Sequence, residues 1–176
     1  MKNLFLIAAV LFLGVFAGNA QSLKFGAKIG ANFSTLDGGG IDGKNLTSFH
    51  VGALAELNLL QNFSVQPEIM YSSQGTDYMN EDLKLDYISI PVLARFYVIT
   101  DKLSLEAGPQ FSFLVNKDVP EQFRAKTFDF AAAGGLGYNL TSFIFVQARY
   151  VVGLTDTSKD ASVTNKVFQL SAGLRF

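Results

Sequence analysis

The chain contains one histidine, His50, and imidazole is the side chain most often used as a general base near neutral pH. Ser48 stands two residues before it, with Asp42 and Asp37 a little further upstream. The parts of a Ser/His/Asp hydrolase or a lipid-modifying enzyme therefore occur in one short stretch. A lone histidine at the rim of a strand is more often simply a polar side chain, and that reading is preferred. There is no second histidine to complete a zinc site. With no cysteine, thiolate metal sites, cysteine nucleophiles, disulfides and a lipidated N-terminal cysteine are excluded.

Asp77, Glu81, Asp82 and Asp86 form an acidic stretch that could hold a divalent cation, but their spacing lacks the EF-hand pattern and reads better as a solvated loop. Glu56, Glu68 and Glu106 could supply a glycosidase pair. They alternate onto the same face as several bases, which favours structural ion pairs. Gly38-Gly39-Gly40 and Gly134-Gly135-Leu136-Gly137 lack a phosphate-loop lysine and a Rossmann spacing, so they read as a flexible loop and close wall packing. The Asn-x-Ser/Thr matches at Asn32, Asn45, Asn62 and Asn139 read as chance. The sequence thus predicts no catalytic residue, no cofactor and no metal site.

What carries these residues is a chain of 176 with 49% hydrophobic and 16% charged residues, a composition that excludes disorder and fits one folded domain. Its 14 bases and 15 acids nearly cancel, so nothing suggests a nucleic-acid partner. The first residues, with Lys2, an apolar run from Leu4 to Ala17, and small Gly18 and Ala20, read as a signal peptide over 1–20 cleaved before Gln21. That run is shorter than the roughly 20 residues a spanning helix needs. Removing it takes away Lys2 and leaves 13 bases against 15 acids over the mature domain, 21–176.

After Gln21 apolar residues alternate with small or polar ones, the period of a strand. Eight such runs are expected at about 23–34, 49–59, 63–72, 84–98, 103–115, 127–138, 143–153 and 166–176, with boundaries good to about two to four residues. The connections alternate long and short: Thr35–Ser48, Ser73–Leu83, Asn116–Lys126 and Leu154–Asn165 against Leu60–Asn62, Ile99–Lys102 and Asn139–Ser142. An all-β, eight-stranded antiparallel up-and-down transmembrane barrel produces that alternation, with short periplasmic turns and long outer loops.

One face collects Phe25, Ile29, Phe33, Phe49, Val51, Leu57, Ile69, Phe96, Leu105, Phe111, Phe113, Phe168 and Leu174, with no charge among them. The other collects Lys24, Lys28, Glu56, Glu68, Arg95, Glu106, Asp129, Gln147, Arg149, Gln169 and Arg175. A charge facing lipid near the midplane costs roughly 2–4 kcal/mol, so the charged face is expected inside, as a structural network filling a plugged lumen. Pro67 and Pro109 are expected to bring bulges or local edge character. Phe143 and Phe145 fall on the polar register and suggest a bulge or a shifted register.

The runs GAKIGANFS (Gly26–Ser34), FSVQPEIMYSSQG (Phe63–Gly75), LDYISIPVLARFYV (Leu85–Val98), LSLEAGPQFSFLV (Leu103–Val115) and FQLSAGLRF (Phe168–Phe176) resemble the Bacteroidota outer-membrane β-barrel domain family often labelled PorT-like. The Tyr-x-x-Ile-Pro run at Tyr87–Pro91 and Gly-Pro-Gln at Gly108–Gln110 are its most specific pieces. Members often carry an acid where this chain has Ser89, which leaves the lumen partner of Arg95 open. The resemblance implies an outer-membrane location and no particular activity. Terminal Phe176 resembles the recognition end of barrels inserted by the outer-membrane assembly machinery. The expected role is structural or interactive, through an unidentified partner of the outer loops, for a monomer surrounded by outer-membrane lipid. The alternatives are a narrow channel or small-ligand carrier, suggested by Gly52, Gly135 and Gly137, and an enzyme centred on His50.

Overall fold

A computed structural model describes residues 23–38, 41–42, 44–78, 81–118, 127–155 and 163–176; the expected leader, 1–20, lies outside them. The strands are β1 (Leu23–Gly38), a two-residue β2 (Ile41–Asp42), β3 (Lys44–Leu60), β4 (Phe63–Tyr78), β5 (Glu81–Ile99), β6 (Leu103–Asp118), β7 (Phe128–Asn139), β8 (Ile144–Gly153) and β9 (Val163–Arg175). Each long strand pairs antiparallel with the next along the chain, and β9 pairs back onto β1 from Gly26↔Arg175 to Gly38↔Val163. The eight long strands therefore close into a barrel; β2 is a short ribbon outside β1. Closure removes the sheet edges that lipid could not satisfy.

Alternation along each strand sends side chains in turn to lipid and lumen. Phe25, Ile29, Val51, Ile69, Phe96, Leu105 and Leu174 are exposed on the wall, while Lys28, Glu56, Glu68, Arg95, Glu106, Arg149 and Arg175 are buried inside. Leu57 keeps the outward register but is covered, sitting in a row with Leu23 and Val65. Tilted ring pairs mark the outer end of the wall: Phe33–Phe168 at 6.3 Å, Phe49–Tyr71 at 5.9 Å, Phe111–Phe130 at 5.3 Å and Phe113–Phe128 at 5.4 Å. Phe25, Tyr138, Phe143 and Phe176 are exposed at the opposite end. With no tryptophan in the chain, phenylalanine and tyrosine form both aromatic girdles.

The inner turns are tight. Lys102 N–H donates to Ile99 O at 2.9 Å, with Asp101 at φ 57° in the left-handed region that aspartate tolerates. Outside, the strands run further than alternation suggests. The expected long loop Ser73–Leu83 is largely ladder, paired from Ser73↔Asp86 to Tyr78↔Glu81, and β3 starts at Lys44 where a run from 49 was expected. The ribbon residues 73–82 are mostly polar and leave no hydrophobic period to read.

The prolines interrupt pairing locally, as edge character would, but bring no bulge. The ladder to β5 steps from Pro67↔Val92 to Met70↔Ser89, and that between β5 and β6 from Pro91↔Gln110 to Ala94↔Ala107, with unchanged register. The missing N–H weakens pairing locally, but neighbouring pairs hold the register; the shifts occur elsewhere, at Asn58/Leu60 for example. Phe143 lies before β8, exposed. Phe145 does point inward: its ring fills the space that side-chain-free Gly173 leaves, and the Arg175 guanidinium lies 5.7 Å from the ring centroid.

Candidate functional site

The inner half of the lumen is one connected layer of charge. Glu68, on β4, takes both terminal nitrogens of Arg149, at 2.8 and 3.0 Å, and the Lys28 ammonium at 2.8 Å. Glu56, on β3, accepts from the Tyr97 hydroxyl at 2.6 Å and Ser64 at 2.8 Å, pairs with Arg95 Nη1 at 3.2 Å, and binds Arg175. Arg95 also reaches Glu106 at 3.0 Å, Gln66 at 2.6 Å and Ser104 at 2.9 Å. The partner of Arg95, left open by Ser89, is thus a pair of glutamates from β3 and β6, while Ser89 bonds Ser112 at 2.9 Å. Gln147 links the two groups: its amide donates to Glu106 at 2.7 Å and its carbonyl accepts from Lys28 at 3.0 Å.

Glycine makes room for this layer. A Cβ on Gly137 would lie 2.3 Å from Glu106 Oε1 and 2.7 Å from Arg95 Nη2, so the absent side chain is replaced by the ion pair and not by a passage. Two expected members stand apart. Lys24 is half-buried at the inner mouth, and Asp129 lies at the outer end, accepting from Thr155 at 2.5 Å.

The outer half carries amides and hydroxyls instead. His50, fully buried, has Nδ1 2.7 Å from Asn32 Oδ1 and Nε2 2.8 Å from Ser171 Oγ. Because the Asn32 amide nitrogen donates to Ser73 O at 2.6 Å, to Ser72 Oγ at 3.1 Å and to Phe49 O at 3.1 Å, its oxygen faces the ring. Nδ1 then bears the proton and Nε2 accepts from Ser171. The expected partners of His50 are therefore replaced. Ser48 donates to Ser73 O at 2.5 Å, and the side chains of Asp37 and Asp42 lie outside the described residues. The order Asn32–His50–Ser171 resembles an activated serine, but imidazole and hydroxyl are both buried, with Ser171 8% exposed, so the arrangement reads as a packed polar contact. These contacts cross three strands, and no local spacing in the sequence marks them.

Opposite, Leu93, Ala131, Ala133, Val151 and Val167 form an apolar patch against the lumen. No group of three metal-ligating side chains gathers among the described residues, and the side chains of the acidic stretch at 77–82 lie outside them.

A closed antiparallel barrel with an apolar, aromatic-girdled wall and a charged interior defines the class: a β-barrel of the outer membrane. The chain belongs to the outer membrane protein beta-barrel domain family, which it matches over residues 19–159. Solved structures share its fold. Ail, the attachment invasion locus protein of Yersinia pestis, solved with the heparin analogue sucrose octasulfate, is 19% identical with a TM-score of 0.56, covering 88% of this chain and 99% of its own. Neisserial surface protein A is 15% identical with a TM-score of 0.54 over 89% and 98%. OprG of Pseudomonas aeruginosa is 12% identical with a TM-score of 0.52 over 89% and 97%. No curated protein sequence matches the chain.

Proposed function

We propose that this protein is an interaction protein of the outer membrane, meeting an external partner through the parts of the barrel that stand above the outer girdle, with the ion-paired lumen as a rigid core. One observation carries the reading. The 19 residues of β5 extend about 60 Å at ~3.3 Å each, or about 45 Å of height at a tilt near 40°, against an apolar band about 25 Å tall. About 20 Å of paired ribbon therefore projects beyond lipid, a rigid platform with no use inside the membrane. The protein is exported through the leader at 1–20, belongs to the Bacteroidota PorT-like group, inserts through the assembly machinery using Phe176, and stands as a monomer in outer-membrane lipid.

The test replaces residues 76–83 of the β4–β5 ribbon, together with 119–126 and 156–162, by Gly/Ser stretches of equal length and asks whether the variant, inserted normally, restores a deletion strain. We expect insertion without restoration. Restoration, or steady conductance of the wild-type barrel in planar bilayers, would overturn the reading in favour of a structural wall or a channel.

A further inference from the structure

We infer that the inner lumen holds a small monovalent anion, of halide size, bound among Arg95, Arg149 and Arg175. The first observation is a charge imbalance. Lys28, Arg95, Arg149 and Arg175 share the layer with Glu56, Glu68 and Glu106, four bases against three acids, each at most 4% exposed. Asp129 does not correct it: six residues along β7 separate it from Gly135, the ladder partner of both Glu106 and Arg149, about 20 Å at ~3.3 Å per residue. Lys24 at the inner mouth only adds positive charge.

The second observation is a set of orphaned donors. Arg95 Nε, Arg149 Nε and Arg175 Nε are buried without a hydrogen-bond acceptor; Arg95 Nε lies 3.0 Å from Glu106 Oε1 but is not aligned to donate to it. The three guanidinium groups belong to one cluster, since Arg95 and Arg175 share Glu56 while Arg95 and Arg149 share Glu106. Water could satisfy the orphaned N–H groups, but it leaves the surplus charge buried. A single anion accepts from N–H donors and neutralises the layer at once. Among the described residues the outer half of the lumen leaves acceptors unpaired, Gln110 Oε1, Asn165 Oδ1 and Gln169 Oε1, with the Tyr87 hydroxyl; on the inner side one acceptor, Asn139 Oδ1 at the turn beside Asp101, stands against the three arginine donors, which places the anion in the inner layer.

The probe is bromide, with the full chain purified from membranes in detergent. Crystals grown in sodium bromide are measured at the bromine edge, and thermal unfolding is followed in bromide against gluconate at one ionic strength. Lys28→Met removes the surplus charge while leaving all three Nε donors. We expect a bromide within hydrogen-bonding distance of an arginine Nε in the wild type, a Tm that rises with bromide, and a halide affinity lower by about tenfold or more in the variant. If Lys28→Met does not fold, Arg175→Met removes the surplus charge together with one of the three Nε donors, and the same loss of halide affinity is expected. Water on the Nε atoms with bromide only on the outer surface, or equal bromide occupancy in wild type and variant, overturns the inference.

Discussion

Glu56 is the acid on which the lumen layer depends most. Replacing it with alanine removes the acceptor for Tyr97 and Ser64 and the counter-charge for two buried guanidinium groups. Breaking a buried pair by deleting one partner costs about 3–5 kcal/mol. Arg95 keeps Glu106 and Gln66, which moderates its share, whereas Arg175 loses its carboxylate and keeps only the Tyr97 hydroxyl at 3.4 Å and the Phe145 face. Glu56→Ala should therefore lose about 4 kcal/mol, on the order of a thousandfold in the folding equilibrium. Urea unfolding of the barrel in lipid vesicles, extrapolated linearly to water, measures it. The Glu56→Met/Arg175→Met double variant, with neither charge left alone, should be more stable than Glu56→Ala, and the coupling between the two positions should exceed about 1 kcal/mol. A loss below about 1 kcal/mol for Glu56→Ala would show that water reaches these groups and refute the sealed layer.

Ile29→Lys places an ammonium on the wall between Val51 and Ala172 and should cost roughly 2–4 kcal/mol in the same urea titration, against near-neutrality for Ile29→Val. Gly137→Ala drives a methyl into Glu106 and Arg95, and about 1–3 kcal/mol of destabilisation is expected from calorimetric or urea unfolding. His50→Ala strands the Ser171 hydroxyl and leaves Asn32 Oδ1 with the Gln169 amide alone, and should lower stability by about 1–3 kcal/mol, yet restore a deletion strain fully where the protein still inserts. Failure of well-inserted His50→Ala to restore the strain would return the enzyme reading to consideration.

The wall was legible because lipid and lumen impose a period of two: Lys28 beside Ile29 and Arg95 beside Phe96 declare their faces without any neighbour. The outer ribbons were not. Ser73–Tyr78 and Glu81–Asp86 pair in water, where strand formation follows from a partner and not from alternation. The lumen shows the same division. Which residues face inward could be read, but the contacts depend on closure. Lys28 and Glu68 lie on strands separated by β3, and Glu56 and Arg175 on strands separated by β1. Phe145 looked like a register error for a related reason, since the space for its ring exists only because Gly173 is beside it on β9. The catalytic-looking order around His50 was invisible for want of proximity: Asn32, His50 and Ser171 meet only once β9 closes on β1.

The most direct measurement is membrane fractionation of the native host combined with protease treatment of intact cells. Recovery with the outer membrane, heat-modifiable migration on gels, and cleavage confined to the outer connections while the wall strands stay intact are expected. Recovery as a soluble periplasmic protein, or resistance of the outer connections with cleavage at the turns near Asn62, Asp101 and Thr141, would contradict the orientation on which the account rests.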